Sequence, residues 1–450
     1  MSQPQPRHAE PDPKAGVKAT RTVRFWVVPI VITLAVLSAL AGLYLGGILK
    51  PTSNLRHFPI AVVNEDAGPV GKQVLNGVVL ALNQDKFDIR LLSREQALHQ
   101  LDTARVYGAA VIPPDFSSKL RDLPQSAAGP GTANRPVITV LTNQRAGTLG
   151  SNIAGQTLTK AMSRADHQVG ERLTAQVSAQ TGGAPLPGAL SLLLGSPIEI
   201  QSAVHNALPD GTGNGLSAFY YSLLLLLAGF TGSIVVGTLV DSMLGYAPAE
   251  FGPVYRFAAQ VKISRFRTLL IKWTLMTVLA LLTSAVYMAI AKALGMPFQH
   301  GLRLWLYGVF AIAAVGVTST SLIAVLGTLG LLVSMLIFVI LGLPSAGATV
   351  PLEAAPSFFT WLAKFEPMHQ VFLGTRALLY LDGRGDAGLS QALTLTAIGL
   401  IIGLLLGGIV TRIYDRRGYH RVPALGDTSP REAITTDATA GTKAPSTAEE

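Results

Sequence analysis

The sequence predicts an α-helical polytopic membrane protein with six transmembrane helices and an α/β extracytoplasmic domain inserted between helices 1 and 2. Three observations carry this. First, five stretches hold no Asp, Glu, Lys or Arg: Phe25–Leu49, Gly211–Val240, Trp273–Ala291, Leu304–Leu352 and Ala387–Thr411. About 20 apolar residues cross a bilayer, so each of the five can span. Second, Leu304–Leu352 cannot be one helix, because at about 1.5 Å per residue it would run roughly 74 Å through a hydrocarbon core of about 30 Å. Third, residues 50–210 change character, with short apolar runs punctuated by Gly, Pro and Asn.

Composition agrees. The chain has 450 residues, 49% hydrophobic and only 14% charged. Ordinary soluble domains carry about 25% charge. An ordinary soluble enzyme and a disordered chain are both disfavoured. The longest stretch folds back at Gly327-Thr328-Leu329-Gly330, where two glycines weaken helix propagation. That makes six spans, over 25–49, 216–240, 270–293, 304–326, 328–345 and 390–412.

An even number of spans puts both termini on one side. The basic residues say which side. Arg7, Lys14, Lys18, Arg21 and Arg24 precede the first span. Arg256, Lys262, Arg265 and Arg267 follow the second, and Arg412, Arg416, Arg417 and Arg421 follow the last. All three groups fall on one face, read as cytoplasmic at the cell membrane. The first span resembles a signal peptide around Ala39 and Ala41, but its apolar run continues to Leu49, so an uncleaved anchor is expected.

Within 50–215, Ile60–Val63 reads as a strand stopped by Asn64-Glu65-Asp66-Ala67-Gly68-Pro69. Val74, Leu75, Val78, Val79 and Leu82 follow at helical spacing. Phe87–Leu91, Gly108–Ile112 and Val137–Leu141 read as further strands. Ser93-Arg94-Glu95-Gln96 has the form of a capping box. A long helix over about 150–180 carries Leu158, Met162, Ala165, Val169, Leu173 and Val177 in one stripe, read as core or as a stalk. Residues 178–215, rich in Gly, Pro and Ser, read as a return linker with a short helix at Leu190–Leu194. The tails over 1–24 and 414–450 are polar, without apolar periodicity, and are expected to be disordered.

The chemistry is informative by what is missing. No G-x-x-x-x-G-K-[ST] phosphate loop occurs, and Gly68-Pro69-Val70-Gly71-Lys72-Gln73 has the wrong spacing. Zero cysteines remove thiol catalysis and Cys-based zinc sites. No cofactor, no nucleic-acid partner and no enzymatic activity is expected. The span interiors hold no titratable group: Lys272 and Lys292 fall at helix ends, where they snorkel, and Asp241 falls where the second span leaves the membrane. The hydroxyls of Thr318-Ser319-Thr320-Ser321 bond to their own or a neighbouring helix, or build a sodium site.

Three segments are candidate sites. Arg256, Lys262, Arg265 and Arg267 form a basic, partly apolar loop, read as a lipid-facing collar or as a surface helix that docks a partner. Residues 344–390 mix aromatics and prolines around Glu353, Pro356, Glu366, Pro367, His369 and Arg376, as re-entrant or interfacial helices do. Their charged groups read as interfacial anchors. Gly399, Gly403 and Gly407 repeat every fourth residue, and Gly42 and Gly46 do the same, which allows close helix packing within the subunit or across a dimer.

Phe58-Pro59-Ile60-Ala61-Val62-Val63-Asn64-Glu65-Asp66-Ala67-Gly68, just after a first span, resembles the start of the outer domain in YhgE/Pip (phage infection protein) membrane proteins, which belong with the ABC-2-type permeases. The five-span C-terminal half, over 216–413, is similar to that superfamily in layout. The resemblance covers roughly residues 22–415. It implies an external hairpin built from Pro351–Phe359 and Pro367–Arg376, with Glu353, Pro356, Pro367 and Arg376 in it. It also implies a separate ABC ATPase subunit near Arg256–Arg267 and a homodimer or heterodimer in the lipid bilayer. Phage infection proteins carry a much longer outer region, so the compact layout here looks closer to nitrosoguanidine-resistance-type membrane proteins.

The expected function is therefore an export permease subunit for a drug, a lipid or an envelope component, energised by that ATPase. A non-transporting envelope scaffold, a secretion accessory or receptor, and an ion-coupled efflux carrier are the alternatives.

Overall fold

The computed structural model describes residues 22–128, 134–180, 182, 186–256 and 258–419. Among the described residues are six helices long and apolar enough to cross a membrane, the architecture of a multi-pass membrane protein. A five-stranded sheet lies between the first and second of them. The expected tails at 1–24 and 414–450 lie almost wholly outside the described residues.

Helix α1 (Val23–Ile48) stands largely clear of the rest, with nearly every side chain exposed. Among the described residues its contacts with the bundle lie near its C-terminal end. There the Tyr44 hydroxyl donates to the Val339 carbonyl (3.4 Å) and Gly47 lies against Phe359.

The sheet runs in the order β2-β1-β3-β4-β5, with β1 (Phe58–Asn64), β2 (Phe87–Leu91), β3 (Gly108–Ile112), β4 (Val137–Thr142) and β5 (Glu199–Val204). All neighbours are parallel except β3 and β4. Alternation along β1 sends Phe58, Ile60 and Val62 to one face and Ala61 and Val63 to the other. The first face is covered by α2 (Pro69–Ala81), and the second by α3 (Arg94–Asp102). The Ser93 and Gln96 side chains close the capping box that opens α3. Helices α4 (Phe116–Ala128) and α5 (Thr148–Gln180) also pack on the first face. Leu158, Met162, Ala165 and Val169 of α5 are buried there, so the stripe is core and the helix is no free stalk. The short helix α6 (Gly188–Gly195) follows. The expected return linker then differs from the structure: residues 199–204 form the edge strand β5, paired with β4 over its whole length. Most of its side chains are exposed and only Ile200 packs on the core, so no apolar alternation betrays it.

The remaining five spans form the bundle. They are α7 (Leu216–Met243), α8 (Arg265–Ala293), α9 (Gly301–Leu326), the broken span Thr328–Ser345, and a last span at Leu389–Arg416. The broken span comprises α10 (Thr328–Met335), a π-helical turn at Leu336–Ile340 and α11 (Gly342–Ser345). Gly327 takes φ 62° at the reversal between α9 and α10, a conformation that favours glycine. Two helices, α12 (Ser357–Leu362) and α13 (Pro367–Tyr380), separate the broken span from the last one, α14 (Leu389–Arg416). The chain order places residues 211–216, 293–301 and 380–389 at the sheet-side end of the bundle. The turns at 243–265 and 326–328 lie at the opposite end.

The glycine repeat of α14 is resolved by geometry. A Cβ on Gly403 would stand 2.8 Å from Thr318 Cα, and one on Gly407 would stand 2.5 Å from Ser321 Oγ, whereas Gly399 has no such neighbour within 4 Å. Gly403 and Gly407 thus seat α14 on α9 within one subunit. Gly42 and Gly46 touch nothing. The hydroxyls of α9 are all engaged: Thr318 donates to Gly399 O, Ser319 bonds Ser233, and Thr320 and Ser321 bond back to their own helix. Gly403→Ala and Gly407→Ala should each lower stability in detergent by about 1–3 kcal/mol, as overpacked cores do. Gly399→Ala should be neutral in the same thermal-unfolding series.

Candidate functional site

Prolines shape the segment between the broken span and α14. Pro356 precedes α12 at φ −54°, preset for a helix start, and Pro367 opens α13. Proline has no N–H to leave unsatisfied at that position. The preceding residue, Glu366, caps α13: its Oε2 accepts from the His369 backbone N–H (2.9 Å). Gln370 ties the turn shut by donating to the Ala363 carbonyl (2.8 Å) and accepting from Gln391 of α14 (3.2 Å). Tyr307 of α9 donates to the Gln370 and Val371 carbonyls, and its ring fills the space that a side chain on Gly374 would take. At its other end α13 reaches the sheet side, where the Tyr380 hydroxyl bonds Ser217 (2.7 Å) and the Ala218 N–H of α7.

The turn at Phe365–Pro367 therefore packs against the flank of the bundle, with Glu366 buried and Phe365 exposed. It lies at the level of Val315 and Thr318 of α9, Ile337 and Phe338 of the π-helical turn, and Gly399 of α14. Together these residues enclose an apolar groove of about 150 Å³. A π-helical turn inside a helix often marks a functional position.

Glu366 differs from the interfacial anchor that the sequence predicts. Only 2% of the residue is exposed, and its Oε1 has no hydrogen-bond partner. The neighbouring Ser345 hydroxyl donates instead to the Leu341 carbonyl (2.7 Å). Burial disfavours a charged carboxylate, and an unanswered oxygen adds to that cost. His369, its neighbour on α13, is held through Nδ1 by the Ala346 carbonyl (2.9 Å).

A second correction concerns Lys272. It does not snorkel: it is buried within α8, and its ammonium pairs with Asp241 of α7 at 2.9 Å. Lys292 lies in the last turn of α8, as expected for a helix-end group. Asp241 lies in the last turn of α7, so the pair sits toward the basic end of the bundle.

The other predicted residues fall in two places. Arg256 lies in a short hairpin of β6 (Ala249–Phe251) and β7 (Val254–Arg256), and Lys262 lies in the extended stretch that follows. No helix forms at 258–264, against the surface-helix reading, and Phe257 lies outside the described residues. Arg265 and Arg267 begin α8, an unfavourable end for cations beside the helix dipole. Asp415 of α14 offsets them: its carboxylate accepts from the Arg265 and Phe266 backbone N–H groups at 2.8 and 3.0 Å. Arg412 also stacks over the Phe266 ring, 4.2 Å from its centroid. Two spans are thereby locked together at the basic end.

Glu353 and Arg376 lie at the sheet-side end instead. The Glu353 carboxylate accepts from the Tyr107 hydroxyl (3.1 Å), and its carbonyl accepts from the Arg56 N–H (2.8 Å). Burial and the Glu353 carboxylate push the Tyr107 hydroxyl pKa well above its usual value. The Asn64–Gly68 string is structural: buried Asp66 accepts from Gly71 N, Ser117 N and Ser117 Oγ, joining α2 to α4. The sequence offered no sign of Arg145 or of the depth of Glu366, because each gains its role from a distant element.

Among the described residues no group of three or more His, Asp or Glu is placed to hold a metal ion. The fold thus defines a class, a multi-pass helical membrane protein carrying an α/β insert after its first span. The chain belongs to the family described as protein of unknown function (DUF3533), whose model matches residues 28–401. No curated protein and no solved structure matches it.

Breaking a buried ion pair by removing one partner leaves a charge uncompensated. Lys272→Met should therefore destabilise the purified protein by about 1–3 kcal/mol, since Asp241 keeps some solvent, with Lys272→Met/Asp241→Asn recovering part of the loss. Thermal unfolding of the two variants checks this.

Proposed function

We propose that this chain is an ABC-2-like export permease subunit that moves a hydrophobic or amphipathic molecule out of the cytoplasm, energised by a separate ATPase. In this reading the sheet domain faces outward, and both termini are cytoplasmic. The observation that carries it is the helix hairpin between the last two spans, folded back beside an open apolar groove on the flank of the bundle. A groove of this chemistry accepts an apolar molecule from the lipid phase. The hairpin around Pro356 and Pro367 supplies a short, separately hinged element that can shift without unfolding a whole span. The orientation is supported by the basic groups, since Arg24, Arg256, Lys262, Arg265, Arg267, Arg412, Arg416 and Arg417 gather at the end opposite the sheet. Coupling is supported by the Asp415 link, which would pass movement of the basic loop to both α8 and α14. The chain lacks a phosphate loop, so its energy must come from elsewhere.

The purified chain alone should show no ATP turnover and should support it with a cognate ATPase. Substrate should then leave the cytoplasmic leaflet only in the presence of ATP. Substrate movement by the lone chain in ATP-free liposomes without an ion gradient would refute the reading.

One observation favours a second reading, an ion-coupled carrier. Glu366 is a buried, half-answered carboxylate beside the groove, and such groups bind and release protons in transporters. The two readings part on Glu366→Gln, which keeps a side-chain oxygen for the His369 N–H and removes the titration. A carrier loses pH-gradient-driven efflux in this variant. An ATP-driven permease keeps most of its transport rate. Efflux in vesicles, with ATP and a proton gradient supplied separately, distinguishes them.

A further inference from the structure

We infer that the cavity between the sheet domain and the bundle is a binding site for the anionic head group, phosphate or carboxylate, of an amphiphile. The cavity has a volume of about 320 Å³ and lies where the start of α5, the approach to α7, residues 348–349 and α13 meet. Pockets of this size hold small ligands and head groups. Its charged lining consists of two cations, Arg145 and Arg376, and contains no carboxylate.

Both arginines are held in place by backbone carbonyls, and neither forms a contact ion pair among the described residues. Arg145 follows the end of β4 and donates to the Tyr380 carbonyl (2.9 Å) and the Ala207 carbonyl (3.4 Å). Arg376, on α13, donates to the Ala146 carbonyl (3.2 Å) and lies over the Phe372 ring. Every one of these acceptors is a backbone carbonyl, a partial charge only. Among the described residues neither guanidinium has a carboxylate within ion-pair distance, 4.0 Å. Each also has a buried Nε–H with no acceptor.

The nearby carboxylates lie outside the cavity lining and are hydrogen-bonded or exposed to solvent. Glu353 accepts from Tyr107, and Asp102, across a smaller cavity behind Arg145, accepts from His205 and Asn206 and lies 3.9 Å from Arg384. Asp382 borders that smaller cavity and is exposed to solvent. Burial lowers the Arg376 pKa, a sign that its charge has lost water, although Tyr107 and Glu353 partly restore it.

A desolvated guanidinium is matched best by a phosphate or carboxylate, which accepts two parallel N–H donors. The rest of the wall favours an attached tail. Leu149, Leu216, Ala348 and Phe372 line it, and Leu216 and Phe372 belong to helices that enter the membrane region. The cavity thus stands at the sheet-side end of the spans, the height at which lipid head groups lie. The assignment does not rest on transport, because a site that only anchors an amphiphile would bind it equally.

The test uses the full chain, purified in neutral detergent. Binding of phosphatidylglycerol, phosphatidylcholine and inorganic phosphate is measured separately by native mass spectrometry and by thermal shift. The wild type should prefer phosphatidylglycerol over phosphatidylcholine by about tenfold or more, a difference of about 1.4 kcal/mol. Arg145→Gln/Arg376→Gln should abolish that preference. Ala348→Trp, which fills the cavity and keeps both charges, should abolish it too, so a folding defect in the arginine variant cannot decide the matter alone. Phosphate binding as tightly as the lipid, with no lipid preference, overturns the amphiphile and leaves a free-anion site. A wild type that prefers neither anion, or a preference that survives both variants, overturns the site altogether.

Discussion

Hydrocarbon offers no hydrogen bonds, so any backbone that stops being helical inside a bundle must be satisfied by the protein itself. The turn at Phe365–Pro367 is where this constraint is met most tightly. Pro367 removes one donor, Glu366 answers another, and Gln370 and Tyr307 take up carbonyls around the turn. The same residues leave one carboxylate oxygen without a partner.

Much of the fold was legible because the bilayer imposes strict terms. A run without charge is long enough to span or it is not, and the 49-residue run had to reverse near Gly327. The strands β1, β3 and β4 announced themselves by short apolar runs ended by Pro, Asn and Gly. β5 did not, because an edge strand with most of its side chains exposed mixes polar and apolar residues as a loop does. In the basic loop, Gly252 at φ 58° turns the chain into a short hairpin and 258–264 runs extended, so the surface-helix reading of that loop does not hold.

The site was less legible than the scaffold. Glycine spacing on α14 announced close packing, yet only the positions of Thr318 and Ser321 reveal that Gly403 and Gly407 face α9 while Gly399 borders the groove. Lys272 looked like a snorkelling helix-end group because its partner, Asp241, is distant in sequence. Glu366 looked like an interfacial anchor because the amount of chain that folds back into the bundle cannot be read from local pattern. Charge is read easily from a sequence; the dielectric around it is set by elements that pack later. Arg145 and Arg376 make the same point, since their isolation from carboxylates depends on where Glu353 and Asp102 find their partners.

The role of the hairpin depends on the depth of its turn. The natural chain has no cysteine, so single labels are unambiguous. A nitroxide spin label at Phe365→Cys, compared with labels at Ile402→Cys on the exposed face of α14 and at Asp382→Cys near the sheet, reads depth through its relative collision rates with oxygen and with a polar nickel complex. If the turn lies inside the bundle, the label at 365 behaves like that at 402, favouring oxygen. If it behaves like the label at 382, favouring nickel, the hairpin lies at the surface, and Glu366 has no buried role.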